Sequence, residues 1–576
     1  MAGSAPTSST PALADLFTPK LVTVLREGYR LDDLRADAVA GLTVAIVALP
    51  LSMAIAIASG TTPERGLFTA AVGGFLISAL GGSRFQIGGP AAAFTVLVAS
   101  TISRHGLDGL LLATIMAGAF LLLMGVFRLG SYIKFIPYPV TVGFISGIAV
   151  ILFVGQLHDL LGLTLPGADP ADILPKLAAL AAAIGTLNPA ALGIAALSVA
   201  TIVGLRRWRP HWPGILIAVI ATSLIGALLH LPVETIGTRF GGIPSTLPIP
   251  ALPPFSLDKV QAVLPDAVAF ALLGAIESLL SAMVADGMTG RRHRSNMELV
   301  AQGIANIGSA LFGGICATGT VARTATNVRS GARSPLAGMF HSVFIVLFML
   351  VAAPLASFIP LAALAGVLVV VAWNMAEKTA FATLLRTSPG DAVVLLATFG
   401  LTVFRGLTEG IVVGFALGAL LFIHRMAQHA GVEVHVPPVP EDQADASRPP
   451  YDPAIATDPD VAVYRITGAF FFGAAATVGA VLERIADQHR AFVIDFSAVP
   501  FIDSTAANTM DGIARKAARH HVVLLISGAT PAVRKSLAAH GVSAPTVLFE
   551  RSIAAAIGAA HTEIARRHST EVSAPA

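Results

Sequence analysis

Between residues 37 and 426 the chain is a succession of apolar runs broken by short polar or glycine-rich stretches. In helical conformation, about 20 apolar residues match the roughly 30 Å hydrocarbon core of a bilayer. The pattern predicts fourteen helical segments, near 37–58, 66–81, 90–102, 108–127, 136–156, 189–205, 213–231, 264–288, 297–313, 320–330, 335–356, 361–375, 391–404 and 408–426. The third and tenth are too short to span. Each follows a glycine-rich, non-helical stretch, GGSRFQIGG over 81–89 and GGICATG over 313–319. In two halves of seven these positions are equivalent, and paired short, glycine-interrupted segments mark the midplane ligand site of an inverted-repeat carrier. Two re-entrant loops without a ligand would give the same pattern.

Loop charge tests the count of spans. With a cytoplasmic N-terminus and fourteen crossings, the predicted inner loops hold 14 Lys and Arg, including the clusters Arg206, Arg207, Arg209 and Arg291, Arg292, Arg294, against 6 in the predicted outer loops. This is the expected positive-inside bias. From about 431 the character changes. The stretch 431–460 is rich in Pro and Asp without an apolar period and reads as a linker. Beyond it, β-type runs at 461–468, 491–497 and 521–527 alternate with helical patterns at 474–489 and 504–519, which argues a small α/β domain. Fourteen crossings put that domain in the cytoplasm. The expected organisation is a tail (1–30), a membrane domain (31–430), the linker, the α/β domain (461–567) and a flexible end (568–576). The opening MAGSAPTSSTPALADLF lacks the basic and apolar regions of a signal peptide.

Composition narrows the class. Of the 576 residues, 55% are hydrophobic and 12% charged, where a soluble domain carries about 25% charged; mean hydropathy is +0.77. A soluble enzyme is excluded. The net charge of +3 gives no nucleic-acid footprint. The single cysteine, Cys316, excludes an intramolecular disulfide. Neither metal-ligand spacing nor a phosphate-cradling GxxxxGK[ST] loop is apparent, so no cofactor is implied and ATP-driven pumping is not expected.

The residues that can carry chemistry cluster at the two short segments. Pro90 is expected to open the third, followed by Ala91, Ala92 and Ala93, with Gly88 and Gly89 before it. Thr318, Gly319 and Thr320 introduce the tenth, which continues Val321, Ala322, Arg323. Two facing helix N-termini present unsatisfied N–H donors and about half a positive charge each, a site suited to an anion. Close helix packing explains the small residues equally well, though not their coincidence with two helix starts. Arg323, inside an apolar segment, is costly unless it is paired or faces a cavity. It is expected to bind the anion, the alternative being a side chain that snorkels toward Arg329. Glu277 is the acidic residue of the apolar run 267–285 and the candidate for proton coupling; a structural salt bridge to Arg323 is the alternative. Ser281, one turn on, is placed to hydrogen-bond Glu277 or the substrate, and Thr318 is a supporting polar group.

These residues resemble the sulfate permease family over about 30–565. The motifs are ALPLSMA (48–54), GLF (66–68), GGP (88–90), GAIES (274–278), Asn306 with FGG (312–314), and RTATNVRSG (323–331). The tail resembles a STAS domain through VIDFS (493–497) and FIDST (501–505). The resemblance implies a seven-plus-seven inverted repeat of uracil-permease type with core and gate subdomains. It further implies an anion between the third and tenth helix starts, elevator-type alternating access and a homodimer. Leu51 and Ile55 stand where many members carry Gln and Tyr. Glu277 stands where sodium-coupled bicarbonate members carry Asp, which makes a proton the expected coupling ion rather than sodium. The wording around Glu277 and Arg323 is similar to the bacterial branch assigned C4-dicarboxylates or sulfate. Ser504 aligns with the phosphorylatable position of anti-sigma antagonists; the alternative is a helix N-cap made by Asp503 and Ser504.

The expectation is an inner-membrane, multi-pass secondary transporter that moves a sulfate-type anion or small dicarboxylate with protons. Its partners are the small anion, the bilayer and a second copy, with a further cytoplasmic partner open to the STAS domain. The alternatives are a sodium-coupled or exchange-type bicarbonate transporter, an uncoupled anion channel and a membrane-anchored STAS signalling scaffold.

Overall fold

The structure, a computed structural model, describes residues 16–131, 137–165, 167, 170, 172–209, 212–429, 460–467, 469–471 and 490–572. The candidate linker 431–460, apart from Asp460, and the helical pattern at 474–489 lie outside these. The chain forms two compact units: Met1–Ile133, Ile145–Ala376 and Gly400–Thr408 in the first, Lys134–Phe144, Glu377–Phe399 and Glu409–Ala576 in the second.

The helical region begins with α1 (Lys20–Glu27) and α2 (Leu31–Ala58), which carries Pro50 in its interior. Next come α3 (Pro63–Phe68), a π-turn at Thr69–Gly73 and α4 (Gly74–Leu80). The first short strand is β1 (Gly88–Pro90), followed after one 3-10 turn (Ala92–Phe94) by α5 (Thr95–Val126). Then follow α6 (Tyr138–Leu161), α7 (Ile173–Ala182), α8 (Pro189–Trp208), α9 (Gly214–Leu228), α10 (Ile236–Phe240), α11 (Leu257–Thr289) and α12 (Ser295–Leu311). The second short strand, β2 (Ala317–Gly319), leads into α13 (Val321–Arg329). The helices α14 (Leu336–Ala356), α15 (Leu361–Met375), α16 (Lys378–Thr387), α17 (Pro389–Phe404) and α18 (Leu407–His429) complete the series.

Each of the fourteen expected segments has a helical counterpart, and among the described residues seven helical runs are long and apolar enough to cross a membrane by length and composition. The third and fourth segments are the two helices of α5, which break where Gly106 adopts the non-helical φ 68° and ψ −175°. One expectation needs correction. Pro90 does not open a helix. It ends β1, where an extended backbone needs no donor from it. The helices α1, α7, α10 and α16 were not legible, being shorter than a span.

Small residues let the helix backbones approach. A Cβ on Gly118 of α5 would lie 2.6 Å from the Gly303 carbonyl of α12, and one on Gly41 of α2 would lie 2.5 Å from the Ala337 carbonyl of α14. Buried carboxylates fasten the loops. Glu298 accepts from the amides of Gly82 (2.9 Å) and Ser83 (3.1 Å) and from Gln302 Nε2 (2.8 Å). Asp37 accepts from the amides of Arg333 and Ser334 and from the Tyr29 hydroxyl.

In the second unit a parallel sheet runs in the order β3 (Val461–Thr467), β4 (Ala491–Ala498), β5 (Val523–Ser527), β6 (Val547–Glu550). It is joined by α19 (Ser504–Arg519), α20 (Pro531–Ala539) and α21 (Ile553–Val572), the last extending into the stretch 568–576. Strand β4 is apolar on both faces: Phe492, Ile494 and Phe496 pack with α19, while Ala491 and Val493 pack with α21. That is the signature of a covered parallel sheet. Four-residue β6 is too short to have been read from the pattern.

Asp495 on β4, 1% exposed, accepts from Arg465 Nε (2.7 Å), the Ser497 amide and hydroxyl (3.1 and 2.8 Å) and the Ser527 hydroxyl (3.1 Å). Burial pushes its carboxyl up, but these donors outweigh burial and hold it below the usual aspartate range. Because the folded-state value is depressed, the stability it contributes is present above about pH 4 and lost as pH falls through the lowered value. Asp495→Asn is expected to lower the stability of this domain by about 1–3 kcal/mol at neutral pH. Thermal unfolding of the full chain at neutral and acid pH checks this: the gap to the parent protein should close in acid, and a gap independent of pH refutes the assignment.

Candidate functional site

The two glycine-rich stretches come together as a two-stranded antiparallel ribbon, with Gly88 opposite Gly319, Gly89 opposite Thr318 and Pro90 opposite Ala317. The Thr320 amide extends the ladder by donating to the Ile87 carbonyl (3.0 Å). Each strand runs directly into a helix start, α5 through its 3-10 turn and α13 through Thr320, so the antiparallel pairing brings the two starts together.

Polar side chains within apolar helices hold this ribbon. Asn306 of α12 clamps Ala317, its Nδ2 donating to the carbonyl (2.8 Å) and its Oδ1 accepting from the amide (2.9 Å). Thr69 Oγ1 accepts from the Ile315 amide (2.7 Å), and Thr324 Oγ1 from the Ile87 amide (3.0 Å). Asn327 donates to the Phe85 carbonyl (2.9 Å), and Gln86 donates to the Ser278 carbonyl (3.1 Å). Among these, the sequence motifs flagged only Asn306, Thr324 and Asn327, without a role. The available signal is the recurrence of amides and hydroxyls in apolar segments, which lipid disfavours unless each is satisfied.

The helix starts themselves remain open. Phe94 N donates to Ala91 O and Thr324 N to Thr320 O, yet among the described residues no acceptor takes the amides of Ala92, Ala93, Val321, Ala322 or Arg323. Orphan amides of this kind are expected in the first turn of a helix; here the two sets lie at the two ends of one ribbon. Val321 and Ala322 are exposed and Thr320 partly so, whereas Ala91 to Ala93 are buried.

Arg323 does not snorkel. It is 2% exposed, and its Nη2 donates to Ser52 Oγ on α2 and to the Pro90 carbonyl, both at 3.2 Å, while Nε and Nη1 have no partner among the described residues. The backbone of Gly89 lies against the guanidinium, so closely that a Cβ there would stand 2.2 Å from Nη1. Glu277 makes no hydrogen bond or ion pair with Arg323 among the described residues, so the alternative of a structural salt bridge is not what the structure shows.

Glu277 is partly exposed on α11 between two positions that touch the site. The Gly274 carbonyl accepts from Thr318 Oγ1 (3.2 Å), and Ser281 Oγ donates to Thr324 Oγ1 (3.0 Å). Residues 274, 277 and 281 share one helix face, so Glu277 lies on the face of α11 that meets β2 and α13. Ser281 bonds Thr324 rather than Glu277, and Thr318 is spent on Gly274; both brace the helix starts against α11.

In the second unit the Asp503 side chain caps α19 by accepting from the Ala506 amide (2.8 Å). Ser504 is buried and donates to Asp391 Oδ2 of α17 at 2.5 Å. Its hydroxyl is thus engaged rather than displayed to solvent.

Apolar helices around two opposed helix starts and a buried, half-partnered arginine define a multi-pass membrane carrier for small anions. The chain belongs to the sulfate permease family, whose model matches residues 34–398, with a STAS domain at 452–556. It is 40% identical, over 87% of its length and 93% of the relative's, to the putative sulfate transporter YvdB of Bacillus subtilis. It is 30% identical to the bicarbonate transporter BicA of Picosynechococcus, over 88% and 90% of the two chains. The solved transmembrane domain of a cyanobacterial BicA superposes with TM-score 0.59 at 32% identity, covering 68% of this chain and 98% of that one. The inward-facing murine Slc26a9 anion transporter shares the fold over 97% and 96% of the chains, with TM-score 0.67 at 17% identity. The protein is accordingly a transporter and not an enzyme.

Proposed function

We propose that this protein is a secondary active transporter that moves a sulfate-type oxyanion or small dicarboxylate together with protons. The observation that carries the reading is the ribbon of β1 and β2, which sets two open helix starts around Arg323 with Nε and Nη1 unpartnered. The anion sits on the amides of Ala91 to Ala93 and Val321 to Arg323, with Gly89, Pro90 and Thr320 shaping the approach. Backbone donors and helix dipoles supply most of the attraction. Glu277 lies on the face of α11 that meets β2 and α13. A proton on its carboxyl removes a charge that repels the anion, so proton and anion each favour the other's binding.

The family fold supports elevator-type movement of the site across the membrane and assembly as a homodimer. The positive-inside bias supports an inner-membrane location with both termini and the STAS domain in the cytoplasm. The domain organisation we adopt is a membrane domain at 31–430, a linker at 431–460 and a STAS domain at 461–567. Ser504, engaged with Asp391, acts as a regulatory position only if that contact opens first.

The test is uptake into proteoliposomes under an imposed pH gradient. Glu277→Gln is expected to bind the anion but to lose gradient-driven accumulation, leaving uptake that stops at the anion's electrochemical equilibrium. Full accumulation by the variant refutes Glu277 as the coupling residue. Accumulation by neither protein, with uptake stopping at equilibrium, identifies an uncoupled channel.

A further inference from the structure

We infer that Ser52 is a positioning residue of the anion site, acting through Arg323; this rests on the reading of Arg323 as the anion-binding side chain. Sequence motifs leave the first span without a polar contribution, since Leu51 and Ile55 stand at its expected polar positions. The structure places a different side chain there. Ser52 is fully buried on α2, and its Oγ accepts from Arg323 Nη2 at 3.2 Å; the Pro90 carbonyl accepts from the same nitrogen at 3.2 Å.

The geometry of a guanidinium explains why this matters. Both of its two-donor edges include Nη2, because Nε–H and Nη1 lie on opposite sides of the group. With Nη2 held by Ser52 and Pro90, the plane of the guanidinium is set. The unpartnered Nη1 is kept beside the Gly89 backbone, where a Cβ would come within 2.2 Å of it. The charge is thereby presented next to the orphan amides at a fixed orientation. An arginine side chain carries about 2 kcal/mol of rotamer entropy, so a guanidinium tethered at Pro90 alone would have to be ordered again by each incoming anion. The Ser52 oxygen carries two lone pairs, so it accepts from Arg323 whatever its own proton does.

Ser52 is itself held. A Cβ on Gly66 would lie 2.0 Å from the Ser52 carbonyl, so α3 presses directly on this turn of α2. Two residues earlier Pro50 lacks the N–H that a regular helix would supply. The clamped first span is what brings Ser52 to Arg323.

The experiment compares the purified full chain with Ser52→Ala, Ser52→Cys and Ser52→Thr, measuring sulfate uptake into proteoliposomes and sulfate-dependent thermal stabilisation. Ser52→Ala should raise the half-saturating sulfate concentration about tenfold, the loss expected of one hydrogen bond to a charged group. Maximal rate should hold, while the anion-free melting temperature should fall modestly, because the buried guanidinium loses one of its two acceptors. Ser52→Cys fills the space with a poor acceptor and should behave like alanine, whereas Ser52→Thr should restore affinity. In an Arg323→Lys background the serine substitution should have no further effect, because residues acting as one unit are non-additive. Rescue by cysteine, or an equal effect in both backgrounds, would show a packing role and overturn the inference. If Arg323→Lys binds sulfate with unaltered affinity, the anion-site reading itself fails. If only that variant weakens binding and the serine variants do not, the reading stands and the role of Ser52 falls.

Discussion

Arg323→Ala should abolish anion-dependent stabilisation of the purified protein and weaken transport by about 100-fold or more, as removal of a buried charged contact does. Arg323→Lys should not restore it, because an ammonium on a flexible stem cannot hold Ser52 and Pro90 while offering a second nitrogen at a fixed angle. The same substitution should leave the anion-free protein at least as stable as the parent. Arg323 is buried with Nε and Nη1 unpartnered, and an incompletely satisfied charge in a low-dielectric interior is destabilising until a ligand completes it. The measurement is a pair of melting curves, with and without sulfate. A large fall in the anion-free melting temperature would assign Arg323 a structural role; sulfate-dependent stabilisation retained by Arg323→Ala would remove it from the site.

Gly89→Ala is expected to come close to the same loss by a different route. Gly89 has φ 153°, a conformation L side chains rarely adopt, and its new methyl would occupy the position of Nη1. Strain of this kind costs about 1–3 kcal/mol, and the guanidinium must leave its place against the ribbon. Affinity for sulfate should fall by an order of magnitude or more, about the effect of 1.4 kcal/mol upward. Gly193→Ala on α8, where a Cβ meets nothing within 4 Å and the backbone is helical, serves as the control and should be silent. Equal behaviour of the two variants in uptake would refute the account of the ribbon.

The predicted helix starts were legible because glycine-rich breaks in an otherwise apolar pattern are rare and fell at equivalent places in the two halves. Arg323 and Glu277 were legible for the same reason, each being a charge within an apolar run. What the pattern could not show was where those groups point. It allowed a salt bridge between Arg323 and Glu277, and it placed Ser281 beside Glu277. In the structure Arg323 instead turns to Ser52 and Pro90, and Ser281 to Thr324. Pro90, read as the first residue of a helix, lies in a strand because the partner that makes it one, Ala317, is more than two hundred residues away.

By itself the sequence determined the class of molecule: apolar runs of bilayer length, a change of character near 431, the α/β alternation beyond it, and two glycine-marked breaks. Those features depend on local periodicity and on the cost of charge in lipid, both of which act over a few helical turns. Only the tertiary structure decided that the two breaks pair as an antiparallel ribbon, that Asn306, Thr69 and Gln86 hold it, and that Ser52 meets Arg323. Such contacts join residues far apart in the chain, and their geometry is set by how closely glycine-bearing helices pack, which no local pattern encodes.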